Sequence, residues 1–142
     1  MDSINSKSVA TELDAWVGIL YSCMSVDMQV TNYEITVMSR ILVSKQKFAG
    51  VDIATLCKNA ALAKQELGQL NHIRECSKLI AEDDKNMIFA LVLEVLLADG
   101  ILEQKEKDFI EIVSNCLEID SKMSSKIIEV MFLKNKGNVK GI

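Results

Sequence analysis

The chain has 142 residues, 49% of them apolar and 25% charged, which is enough apolar surface for one domain with a core and excludes general disorder. It contains no proline and few aromatic residues, and Leu, Ile, Ala, Met, Lys and Glu dominate, which is helix-forming chemistry with little to break it. A net charge of −4 and the absence of any nucleic-acid-binding motif argue against a nucleic-acid partner.

The charge is laid out in blocks. Residues 1–34 hold five acids and one base, 35–81 three acids and seven bases, 82–120 eleven acids and three bases, and 121–142 one acid and five bases. The N-terminus is polar and has no basic n-region, so no signal peptide is expected. The longest apolar run, Met87 to Ala98, is too short to span a bilayer and reads as a buried core helix. The expectation is a cytoplasmic protein with no transmembrane segment.

In chain order, residues 1–7 form a polar lead, read as a flexible tail. A first helix is expected from Ser8 to Val26, with Leu13, Trp16, Val17, Leu20 and Met24 at helical spacing. Asp27 to Val30 breaks it. Thr31 and Glu34 have capping-box spacing for a second helix that runs to Ser44. Lys45 to Gly50 closes that helix, and Asp52 caps a third with Ile53, Leu56, Cys57, Ala60 and Leu67 on one face and Gly68 as its stop.

A fourth helix, 70–82, carries Leu70, Ile73, Cys76, Leu79 and Ile80. Glu82, Asp83 and Asp84 favour the positive end of the next helix, the apolar run. A sixth helix covers 104–117, with Phe109, Ile110, Val113 and Leu117 on one face. After a turn at 118–121, a seventh helix at 122–133 carries Met123, Ile127, Val130 and Met131, and 134–142 reads as a basic flexible tail. The fold class is therefore all-α, about seven helices in one domain over 1–142, with no strand and no sustained heptad run.

Cys23, Cys57, Cys76 and Cys116 have irregular spacing and lie in apolar helical patterns, so they read as buried free thiols rather than zinc ligands. His72 reads as a surface or capping residue, and Trp16 as a core residue. Glu94, the one charge inside the apolar run, reads as a paired or partly exposed carboxylate.

A shift of 72 residues superimposes the two halves. Leu20 falls on Val92, Cys23 on Val95, Met24 on Leu96, Asp27 on Asp99, Glu34 on Glu106 and Met38 on Ile110. Each half reads apolar helix, Asp, six residues, Glu, amphipathic helix, so two related helical hairpins are expected to share one core. Two readings of the acidic turn stand side by side. In one it is turn chemistry: Gly100 supplies a left-handed residue and Glu106 a capping partner. In the other, Asp27, Glu34, Asp99, Glu103 and Glu106 supply oxygens for calcium, magnesium or manganese. A standard EF-hand is excluded, because the positions that would carry its first ligands are Val95 and Leu97 in one copy and Cys23 and Ser25 in the other.

The stretch from Val95 to Ile110, with its Ala-Asp-Gly, acidic stretch, Glu and paired apolar residues, resembles the signature of the TerB family of tellurite-resistance-associated domains. The echo around Ser25-Val26-Asp27 fits the duplicated layout of that family, although Met28 stands where its glycine would be. The resemblance implies a compact bundle of about seven helices and a bacterial cytoplasmic, non-enzymatic module linked to stress and tellurite resistance. It also implies cation binding at Asp27, Glu34, Asp99 and Glu106, and work with membrane-associated protein partners at the inner membrane. The alternative is a metal-free scaffold that docks a protein through a charged face, such as Arg40, Lys45, Lys47, Lys58 and Lys64. An enzyme is the weakest reading, since the sequence offers no nucleophile–His pairing, phosphate loop or H-E-x-x-H.

Overall fold

Three of the helices begin where a short polar side chain takes up a free N–H group. In the computed structural model, which describes residues 9–26, 32–98 and 102–138, Thr11 Oγ1 accepts from the Asp14 N–H at 3.1 Å and starts α1, Glu12–Met24. Asp52 Oδ1 accepts from the Thr55 N–H at 3.3 Å and starts α3, Ile53–Leu67, and Asp120 Oδ1 accepts from the Met123 N–H at 2.9 Å and starts α7, Ser121–Lys134. The others are α2, Asn32–Val43; α4, Gln69–Leu79; α5, Lys85–Leu96; and α6, Gln104–Cys116. All seven are α-helices, and the described residues contain no strand. Gly68, at φ 82°, separates α3 from α4 in a conformation that a side chain would oppose.

The duplication holds in register. Adding 72 to the bounds of α1 gives 84–96 against the observed 85–96, and adding 72 to α2 gives 104–115 against 104–116. The pairs Leu20 and Val92, Cys23 and Val95, and Met24 and Leu96 are all buried. Helices α1 and α5 pack on each other through these residues at the centre of the fold. Helix α1 is also covered by α3 and α4, and α5 by α6 and α7.

The first helix begins four residues later than the spacing predicts, because Thr11 caps it. The segment read as closing α2 and the acidic segment read at the start of α5 both carry 3₁₀ turns, Gln46–Phe48 and Glu82–Asp84. The first drives Phe48 into the core, where it meets Trp16 at 5.7 Å between ring centroids. Lys47 sits 4.6 Å above the Trp16 ring and pairs with Glu12 at 3.1 Å and Asp84 at 3.6 Å, fastening both 3₁₀ turns to the start of α1.

Several faces differ from expectation. His72 is fully buried, not at the surface, because α4 lies against α1 where Gly18 leaves room for its ring. Leu70 and Leu79, read as core positions of α4, are exposed at its two ends. Met123 and Val130 on α7 are exposed as well, since α7 packs on one side only and buries Ser124 and Met131. Cys23 and Cys76 are buried free thiols as expected, whereas Cys57 and Cys116 are only half-buried. Glu94 is paired: Lys134 Nζ donates to its two oxygens at 3.1 and 3.0 Å. Beyond α7, Asn135 donates to Met131 O and Asn138 to Leu97 O, so this stretch is hydrogen-bonded back onto the bundle.

Candidate functional site

The acidic turns follow the ends of the two central helices. Asp27 and Asp99 lie outside the described residues, as do Thr31 and Gly100. Glu34 stands in the first turn of α2 and Glu106 in the first turn of α6, where a carboxylate is favoured by the helix dipole. Both are half-buried, whereas Glu103 is exposed.

Glu103 and Glu106 form a capping box at the head of α6. Its firmer half is the bond in which the Glu103 N–H donates to Glu106 Oε1 at 2.8 Å. The role of Glu106 as a box partner, read from the sequence, is therefore realised, and Glu103 is its N-cap.

Glu34 and Glu106 converge electrostatically on one atom. The Cys23 thiol is fully buried between the copies and donates to Val92 O at 3.5 Å. Burial pushes its pKa well up, and the charges of Glu106 and then Glu34 push it in the same direction. Two carboxylates at equivalent positions of the two copies thus act electrostatically on one thiol beside the α1–α5 contact. Among the described residues no group of three or more His, Cys, Asp or Glu is arranged to hold a metal ion.

The two turns are supported differently. Lys64, from α3, reaches the C-terminal end of α1 and donates to Ser25 O at 3.3 Å and Ser25 Oγ at 2.6 Å. An ammonium there complements the negative end of the helix dipole. At the matching end of α5 the neutral Asn138 amide donates to Leu97 O at 3.3 Å. The first copy therefore already holds a cation at its helix terminus, and the second is served by a neutral group. The proposed basic face is also divided: Lys47 is engaged by Glu12 and Asp84, and Lys64 by Ser25.

A polar seam escaped the sequence reading. Ser22 Oγ lies 3.3 Å from His72 Nδ1, and both residues are fully buried. His72 Nε2 has no hydrogen-bond partner among the described residues and faces Gly18 and Cys76. Burial, assisted by the charge of Lys64, lowers the His72 pKa to about 4, so the ring is neutral near pH 7. This is a serine–histidine contact that spacing 50 residues apart could not reveal. It is sealed from solvent, and no substrate can reach the hydroxyl in this arrangement.

The fold and the paired acidic turns define an all-helical module built by duplication around two central helices. The chain matches the family described as "Tellurite resistance protein TerB" over residues 13–128, and it belongs to that family. Comparison with curated proteins and with solved structures found no match. Among the described residues no helix is long and apolar enough to cross a membrane.

Proposed function

We propose that this TerB-family chain is a non-catalytic module whose two acidic turns together hold one divalent cation. Glu34 and Glu106 are the inner oxygen donors, Asp27 and Asp99 the turn donors, and Glu103 lies at the rim. The observation that supports this reading is that Glu34 and Glu106, at equivalent positions of the two copies, both act electrostatically on the buried Cys23 thiol. An all-carboxylate donor set suits calcium, magnesium or manganese rather than a soft metal. The second copy carries more of the site, because Lys64 already sets a positive charge at the end of α1. In the cell, the module works in a stress or tellurite-resistance response with protein partners, some of them at the inner membrane.

Calorimetric titration with the three metals, on the wild type and on Asp99→Asn/Glu106→Gln, tests the proposal. Saturable binding lost in the double variant supports it, and no heat at millimolar metal overturns it.

A second reading, a metal-free scaffold, is favoured by the capping box, which already occupies Glu103 and Glu106 with backbone N–H groups. On that reading the double variant loses thermal stability in metal-free buffer, and the wild type gains none from metal.

A further inference from the structure

The largest cavity described lies away from the acidic turns, between α4 and the end of α6. It is an open cleft of about 470 Å³, within the range of small-ligand pockets. Leu70 and Ile112 supply apolar lining, and Arg74, Lys78, Lys85 and Glu118 supply its charged lining. Three cations and one carboxylate leave the lining at +2.

The three cations are not equally committed. Arg74 has no ion-pair partner among the described residues. Lys78 pairs with Glu75 at 3.0 Å, but both side chains are largely exposed, and such pairs hold little energy. Lys85 is the most covered of the three, and its contacts are long, 3.3 Å to Glu82 and 3.9 Å to Glu118, with both carboxylates mostly in solvent. Neither Glu75 nor Glu82 lines the cavity.

The end of α6 does not repel an anion as a bare helix terminus would. Its last carbonyls are taken up, since the Glu118 N–H donates to Asn115 O and the Ile119 N–H to Ser114 O, both at 3.1 Å. Glu118 closes this turn with φ 59°, a left-handed conformation that holds the one carboxylate of the lining at the rim.

We propose that this cavity binds a small soluble organic phosphate monoester, with the dianion between Arg74, Lys78 and Lys85 and its apolar body on Leu70 and Ile112. A phosphate monoester carries nearly two negative charges above its second pKa of about 6, which matches the lining. The guanidinium of Arg74 offers the fork that phosphate oxygens accept, and Lys85 a point charge at the inner wall.

The test is NMR titration of the full chain with phenyl phosphate at pH 7.5, with phenol, inorganic phosphate and phosphatidate-containing vesicles as separate arms. The expected result is saturable shifts confined to α4, the start of α5 and the end of α6, with phenol inert and inorganic phosphate weaker. Arg74→Gln weakens phenyl phosphate roughly tenfold or more, and Glu118→Gln tightens it. Both positions are exposed, so neither variant threatens the fold. The proposal is overturned by shifts that do not saturate, by binding indifferent to both variants, or by binding to phosphatidate vesicles alone.

Discussion

His72 Nε2 lies 3.0 Å from the point where a Cβ on Gly18 would stand, and Cys76 Sγ lies 2.7 Å from the same point. The contact between α1 and α4 therefore depends on a missing side chain in the middle of a helix. Gly18→Ala gains about 1 kcal/mol of helix propensity, but it forces two fully buried side chains apart, at a cost of about 1–3 kcal/mol. A net loss of up to about 2 kcal/mol in urea unfolding is expected. Gly18→Ala/Cys76→Ala, which removes the nearer clash, should recover part of it.

The same ring sets a pH dependence. His72 has a folded pKa of about 4, against about 6.5 for an unfolded histidine. As pH falls, the unfolded chain takes up the proton first. The stability held by the neutral buried ring is therefore complete above about pH 6.5 and is lost progressively toward pH 4, by on the order of 3 kcal/mol at most. Urea midpoints at pH 7 and pH 5 should differ in the wild type and differ less in His72→Gln. Lys64→Met, which removes a charge that lowers the His72 pKa, should make the loss shallower. A wild-type stability that is flat over this window would contradict the assignment.

Glu94 and Asn135 tie α5 to the end of α7 with unequal weight. Lys134 is more than half exposed, so Glu94→Gln should cost less than about 1 kcal/mol. Asn135 is buried, and its amide donates to Met131 O at 2.9 Å and to Glu94 Oε1 at 3.4 Å. Asn135→Ala should cost about 1–2 kcal/mol, read from denaturant unfolding.

The head of α6 separates charge from hydrogen bonding. Glu106→Gln keeps an oxygen to accept from the Glu103 N–H and gives up the charge at the positive end of the helix, about 0.5 kcal/mol. Glu106→Ala removes the bond as well and should cost about 1 kcal/mol. Thermal melts in chelator should rank wild type, Gln and Ala in that order.

Glu118 holds a left-handed backbone at the position after the end of α6 where glycine is usual. Glu118→Gly should raise stability by up to about 1 kcal/mol, measured as a higher urea midpoint with an unchanged slope.

Much of the architecture is legible in the residues themselves. Asp52 and Gly68 mark the start and stop of α3 because capping and left-handed turns are local chemistry. The 72-residue echo predicts that α1 corresponds to α5 and α2 to α6, because both copies repeat the same apolar spacing. The turn residues of the candidate site follow from the same echo, and Glu106 performs the capping role that its position implies. Phe48 was missed because a 3₁₀ turn, not a helical period, carries it inward.

By itself, the sequence determined the helices, their order, the duplication and the family, since each is written in near neighbours along the chain. Only the tertiary structure decided which neighbour covers each face. It buried His72 under α1 because Gly18 makes space, left Leu70 beside a basic cavity, and brought Glu34 and Glu106 to act on one thiol. Periodicity tells which side chains share a face of a helix. What lies against that face depends on how distant helices pack, and helical spacing does not record it.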